Sequence, residues 1–120
     1  MKYEWLDDYC RSKKGAEKDY KEEWEATRYM LLGKMFAMQG NHKDGGAIIT
    51  LKLDPSHGQL LRDKYADIIP GYYMNKEHWN SVYLDGKVAD DLLQEMIDES
   101  YQLILALLSK KSRQDILAEL

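Results

Sequence analysis

The sequence predicts an α+β fold, in which a largely antiparallel sheet carries helices on one face. Several segments rich in aromatic and apolar residues are separated by short connections marked by glycine, a pattern typical of hairpins between antiparallel strands. A long segment near the carboxyl end instead has the three- and four-residue spacing of an amphipathic helix. Helices and strands do not alternate strictly, which argues against a parallel α/β sheet.

The first half of the chain predicts one short helix followed by strands. A stripe of apolar side chains indicates the helix over residues 3–11, and Gly15 ends it. The segment 40–46 is polar and rich in glycine, as expected for a turn between two strands. The strand after this turn places Ile49, Leu51 and Leu53 on one face, so we expect it to be half-buried. The predicted strands are 19–24, 26–32, 34–39 and 47–53.

The second half predicts mainly helices. Asp54 followed by Pro55 is typical of an N-cap and a first helical position, which begins a helix over 56–65. The segment 68–71 predicts a turn, and a strand follows it around 79–84. A long amphipathic helix is predicted over 92–108. The apolar residues Ile116, Leu117 and Leu120 indicate a further short helix at the carboxyl end.

Length and composition limit the class of protein. A chain of 120 residues is near the commonest size of one domain, so we expect a single domain over 1–120. With 44% hydrophobic and 32% charged residues, the composition excludes a disordered or fibrous chain.

The formal net charge of −4 argues against a protein that coats nucleic acid through a broad basic surface. This charge is unevenly distributed along the chain. Residues 85–108 hold one basic and six acidic residues, whereas residues 31–84 hold six basic and five acidic ones. A small, local basic patch in the middle of the chain is therefore compatible with the sequence.

Cysteine content and the lack of long apolar runs predict a cytoplasmic protein without a membrane-spanning segment. Cys10 is the only cysteine and cannot form an internal disulfide. Four of the amino-terminal positions 1–8 are charged, where a signal peptide would need an apolar stretch. The longest apolar run, 103–108, is far shorter than the roughly 20 residues that span a bilayer.

Five fragments occur in order along the chain and resemble a known family. The most specific is Asn75-Lys76-Glu77-His78-Trp79, which runs into the turn at Asp85-Gly86. The complete set is 33–37, 51–55, 61–62, 74–86 and 100–101. In this order they resemble the MmcQ/YjbR family over nearly the whole chain. The resemblance implies a fold similar to the CyaY-like fold and a DNA-binding role through a double-wing arrangement, without an established reaction or cofactor.

The turn at 40–46 is the expected wing tip. Its polar side chains could contact phosphates or base edges, and its glycines would allow close backbone approach. The alternative is an ordinary polar hairpin loop without a ligand. The candidate contacts are Asn41, His42 and Lys43 in the loop, with Lys34 and Lys52 as phosphate contacts expected beside it.

A second candidate segment covers 72–79. It combines three aromatic residues with an amide, a cation and an imidazole, the residue types that stack on bases and bind phosphates. The alternatives are that Trp79 belongs to the core and that the polar residues fix a turn through local hydrogen bonds. The candidate contacts here are Asn75, Lys76 and His78.

The sequence gives little support to metal binding or catalysis. The three histidines are 15 and 21 positions apart, and no ligand spacing indicates a metal site. Cys10 lies on an apolar helix stripe, where a buried thiol is inert. Ser56, Ser81 and Ser100 are not in a nucleophile elbow, so we do not expect an enzyme. The alternative to DNA binding is a module whose tyrosine-rich sheet surface contacts a protein or a small ligand.

Overall fold

The computed structural model describes residues 2–71 and 75–118. Within these ranges the chain forms a six-stranded antiparallel sheet with helices on one face, which confirms the α+β prediction. The strands lie side by side in the order β1-β2-β3-β4-β6-β5. The helices are α1 (Leu6–Arg11), α2 (Pro55–Lys64), α3 (Asp90–Ala106) and α4 (Lys110–Ala118). The strands are β1 (Ala16–Lys21), β2 (Ala26–Leu31), β3 (Lys34–Asn41), β4 (Ala47–Lys52), β5 (Ile68–Pro70) and β6 (Trp79–Tyr83).

The structure confirms the two central helices that the sequence predicts, α2 and α3. Asp54 is the N-cap of α2, and its carboxylate accepts a hydrogen bond of 3.1 Å from the Ser56 amide, with Pro55 as the first helical residue. The apolar stripe of α3 faces the sheet and includes Leu93, Met96 and Ile97, all fully buried. No helix in the described residues combines the length and apolar character that crossing a bilayer requires.

Strand β4 is more deeply buried than the predicted half-buried strand. Ile49 and Leu51 pack beneath α3, as their spacing predicts. On the opposite face none of the described helices covers the sheet, yet Ile48 and Thr50 are only 2% and 1% exposed. The Thr50 hydroxyl is 2.8 Å from that of Ser81 on β6. β4 is a central strand, paired with β3 on one side and with β6 on the other.

Ser100 of α3 joins the ends of β3 and β4. A shift in the β2–β3 register leaves Phe36 unpaired, and the regular β3–β4 pairing ends at Ala37 and Leu51. The Ser100 hydroxyl donates to the Phe36 carbonyl at 2.5 Å and accepts from the Lys52 amide at 2.8 Å. One fully buried side chain therefore satisfies two backbone groups that the strands leave without a ladder partner.

Two strand predictions are wrong in detail. The segment expected to turn at 68–71 forms β5, a short edge strand whose Ile68 pairs with Val82 of β6. The first strand begins at Ala16 rather than at residue 19, and residues 22–24 form a single 3-10 turn. Both segments lie at the edges of the sheet, where burial does not impose a clear apolar alternation. Tyr72, Tyr73, Met74 and Leu120, to which the predictions also refer, lie outside the described residues.

The antiparallel order sends the connections alternately to two ends of the sheet. We call one the hairpin end, because the tips of the β1–β2 and β3–β4 hairpins lie there. We call the opposite end of the sheet the basic end. With the flanking strand residues, the hairpin end comprises residues 2–5, 21–26, 41–47, 65–68 and 83–89. The basic end comprises residues 12–16, 31–34, 52–54, 70–71, 75–79 and 107–109.

Candidate nucleic-acid interface

The predicted wing tip is a compact loop held by its own hydrogen bonds. The His42 amide donates to the Gly46 carbonyl, and the Gly45 amide donates to the His42 carbonyl, both at 2.8 Å. Gly45 has a positive φ of 90°, which a side chain would strain. A Cβ at Gly46 would lie 2.9 Å from the ring of Tyr83, so glycine allows this ring to pack against the loop.

Asp44 organises the same loop. Its carboxylate accepts from the Gly46 amide and from the Tyr83 hydroxyl, each at 2.8 Å. The Gly46 amide, followed by the Tyr83 hydroxyl, holds the pKa of Asp44 below its usual value. The His42 Nδ1 atom lies 3.4 Å from Asp44, and the His42 side chain is only 13% exposed. These contacts favour the structural interpretation of His42, whereas Asn41 and Lys43 are exposed.

Lys34 and Lys52 do not lie beside this loop, contrary to the expectation. Lys34 begins β3 and Asn41 ends it, and seven residues of extended strand span about 23 Å. Lys52 ends β4 at the same end of the sheet as Lys34, opposite Trp79 in the register. The two lysines belong to the basic end, because each strand carries its chain away from the hairpin tip.

The segment 75–78 also lies at the basic end. The Asn75 carboxamide accepts from the Glu77 amide at 2.9 Å, and the Asn75 carbonyl accepts from the Trp79 amide at 2.9 Å. The His78 carbonyl accepts from the Leu53 amide at 2.8 Å, which ties this turn to the end of β4. Asn75 therefore shapes the turn, as the structural alternative predicted. Lys76 is exposed beside it, and Trp79 is partly buried at the start of β6.

The two ends of the sheet differ in charge. The hairpin end holds four basic and seven acidic side chains, with histidines taken as neutral. Three of the acids, Glu22, Glu23 and Glu25, lie in the turn of the β1–β2 hairpin. The basic end holds five basic and two acidic side chains, and one of the five, Lys13, pairs with Asp98 of α3. The sequence candidates are thus divided between an acidic and a basic end, rather than collected in one patch.

Groups that a reaction could use already have structural roles. Cys10 is fully buried in the core, and this burial raises the pKa of its thiol to about 12. Ser100 bridges the two strands as described above. The His57 ring bonds to Glu99 at 2.7 Å, while the second carboxylate oxygen of Glu99 accepts from the Asp54 amide at 2.8 Å. This last contact joins the start of α2 to α3, and no spacing in the sequence indicates it.

Of the seven described tyrosines, three are buried, three are half-buried and one is exposed, which does not match the expected tyrosine-rich sheet surface. Tyr3, Tyr29 and Tyr101 are at most 5% exposed. The Tyr101 ring packs edge-on against Phe36, with the ring centroids 5.4 Å apart. Tyr20 is the clear exception at 60% exposed, on edge strand β1.

An open pocket that the sequence patterns do not predict lies near the hairpin end, on the helix-facing side of the sheet. It has a volume of about 340 Å³ and is lined by strand residues and by α1. Asp7 at its wall accepts from the Tyr29 hydroxyl at 2.8 Å and pairs with Lys18 at 2.7 Å. The Lys18 ammonium is the main cause that lowers the pKa of Asp7, whereas burial raises that of Tyr29. The lining residues are Asp7, Lys18, Thr27, Tyr29, Gln39, Gly40, Asn41 and Ala47.

Comparison with known proteins identifies relatives that are similar to this chain over most of its length. The YjbR protein of Escherichia coli strain K12, described as uncharacterized, is 36% identical to this chain over 105 residues, which cover 88% of each protein. YbdF of Escherichia coli O157:H7, also described as uncharacterized, is 36% identical over 84 residues, covering 70% of this chain and 68% of YbdF.

Solved structures share the fold. The crystal structure of a Deinococcus radiodurans protein with a DUF419 domain matches with a TM-score of 0.82 and 31% identity, covering 92% of this chain and 84% of that one. A crystal structure from Pseudomonas syringae matches with a TM-score of 0.73 and 28% identity, covering 86% of this chain and 98% of that one. The YjbR family model matches residues 11–103. On these matches and on the fold, the chain belongs to the YjbR family.

Proposed function

We propose that the chain is a cytoplasmic, non-enzymatic binding protein that contacts DNA through the basic end of its sheet. The observation that carries the proposal is the charge difference between the two ends. Phosphates are attracted to clustered lysines, and each phosphate that is neutralised adds to the affinity. Lys34, Lys52 and Lys76 supply three of the five cations at the basic end.

The hairpin end is poorly suited to phosphate. The double-wing arrangement implied by the resemblance would correspond to the β1–β2 and β3–β4 hairpins. The first carries Glu22, Glu23 and Glu25 at its tip, and the second carries an Asp44 whose pKa is lowered. Like charges repel a phosphate backbone, so the proposal moves the contact away from the hairpin tips.

A salt-dependent titration tests the proposal. The fluorescence anisotropy of a labelled random duplex is measured with increasing protein at several salt concentrations between about 50 and about 200 mM, where phosphate contacts change affinity strongly. We expect measurable binding at low salt that weakens as salt rises. The variant K34A/K52A/K76A should lower the slope of log affinity against log salt by about 2–3 units, because each phosphate that a lysine neutralises contributes roughly 0.9 to this slope.

The matched control is K2A/K43A/K87A, which removes three lysines at the hairpin end and should leave the slope unchanged. Absence of salt-sensitive binding by the unmodified protein would refute the DNA function. If only the control variant loses binding, DNA is bound but the basic end is the wrong location.

The alternative from the sequence, a small-ligand module, is favoured by a separate observation. The volume of this pocket, about 340 Å³, is in the range of small-molecule sites, and polar side chains of paired strands line it together with Tyr29 and Ala47. It lies toward the hairpin end and does not depend on the DNA contact.

A further inference from the structure

The pocket presents one hydroxyl and two carboxamides on one face of the sheet. Thr27 of β2 lies directly opposite Gln39 of β3 in the register, so their Cβ atoms are about 5 Å apart. Asn41 is two residues further along β3, on the same face and about 7 Å away. All three residues line the pocket. Their backbones are fixed by pairing with neighbouring strands, so the positions from which these side chains extend are set before a ligand binds.

The charged wall of the pocket is internally balanced. Asp7 pairs with Lys18 at 2.7 Å and accepts a hydrogen bond from Tyr29. One carboxylate and one ammonium therefore cancel within the lining, and the surrounding hairpin end has an excess of acids. A neutral ligand is favoured over one that carries phosphate.

An aromatic ring and a small side chain flank these polar groups. Tyr20 lies directly opposite Thr27 and shares the face of Lys18, since side chains alternate along β1. It is 60% exposed. Ala47 pairs with Asn41 across the β3–β4 hairpin and lines the pocket with only a methyl group. The site thus offers an exposed aromatic ring on the strand next to the hydrogen-bonding groups.

We propose that this pocket binds the base of a free, uncharged nucleoside. A carboxamide presents a donor and an acceptor side by side, which matches the N6 and N7 edge of adenine. An exposed aromatic side chain is the group on which a base stacks. The inference rests on the small-ligand alternative and is independent of duplex binding at the basic end.

Titration with adenosine, followed by the backbone amide signals in NMR spectra, tests the proposal. We expect saturable shifts centred on the pocket residues of β2, β3 and β4. Q39A and N41A should each weaken binding by about fivefold, the effect of removing one hydrogen bond. A47F fills the pocket without removing a polar group and should weaken binding by about tenfold or more. Q114A removes an exposed carboxamide on α4 and is the matched control.

Adenosine monophosphate and a short oligo(dA) strand test whether the ligand must be free of phosphate. Adenosine should bind better than its monophosphate, because the hairpin end is acidic. Binding of adenosine without binding of the oligonucleotide would support the free nucleoside, and tighter binding of the oligonucleotide would overturn it. The inference fails if none of these probes binds saturably, if binding survives A47F, or if glucose binds there and adenosine does not. Absence of duplex binding in the salt titration would leave this result unaffected.

Discussion

Replacing Ser100 with alanine removes the side chain that joins β3 to β4. The change leaves the Lys52 amide and the Phe36 carbonyl without their partner in a fully buried position. An unsatisfied buried backbone group costs about 1–3 kcal/mol, so we expect S100A to lower the free energy of unfolding by about 2–4 kcal/mol. This is a large part of the about 5–15 kcal/mol that stabilises a typical domain.

Equilibrium unfolding in urea, followed by circular dichroism, measures this decrease. S12A is the control: its hydroxyl donates to the Tyr9 carbonyl at the exposed end of α1, and its removal should change stability by less than about 0.5 kcal/mol. Hydrogen exchange supplies a local readout, because the Lys52 amide should exchange faster in S100A. A decrease below about 1 kcal/mol, together with unchanged protection of this amide, would refute the bridging role.

Three further predictions concern the glycines, the charged wall and the cysteine. G15A should destabilise the protein more than G33A, although both glycines have a positive φ. A Cβ added at Gly15 would lie 3.0 Å from Leu31, whereas a Cβ added at Gly33 would meet nothing within 4 Å. Urea unfolding of both variants separates this packing cost from the backbone strain of about 1 kcal/mol that they share. D7N should lower stability at neutral pH, because the ionised form of Asp7 is favoured in the folded state. The difference should disappear as pH falls below the ordinary pKa of 3.8 and through the lowered pKa. Thermal unfolding of both proteins across this pH range measures the difference, and equal stability at neutral pH would contradict the pairing of Asp7. Cys10 should react with a maleimide only as fast as the protein unfolds, since burial raises its pKa to about 12, and rapid labelling of the native protein would contradict this.

The elements that could be predicted from the sequence are those whose signals are local. Asp54 and Pro55 mark a helix start through their own backbone chemistry, and the apolar stripe of α3 records burial on one face over several turns. Strand β5 has three residues and ends in Pro70, so it exists as a strand only because β6 lies beside it. Such pairing depends on tertiary structure and leaves no periodic pattern.

The candidate site was harder to predict because the two ends of a single strand lie at opposite ends of the sheet. Lys34 and Asn41 belong to one strand, yet they occupy opposite ends of the sheet. The pocket has a weak signal in the sequence. Gln39 and Asn41 are polar residues at alternate positions of β3, on the same face as the residues that β3 contributes to the core. Recognising it requires knowing that β1, β2, β3 and α1 meet there.

The two outer strands of the sheet have a consequence for how this protein meets others. β1 carries Glu17, Lys18, Asp19 and Lys21 along its length, and β5 is short and includes Pro70, which has no amide hydrogen to donate. Charged or proline-bearing borders disfavour the addition of a strand from another chain, the step that begins fibril growth and many peptide complexes. We therefore expect this protein to contact its ligands through side chains and through the ends of the sheet. The backbones of the edge strands β1 and β5 should not pair with strands of other chains.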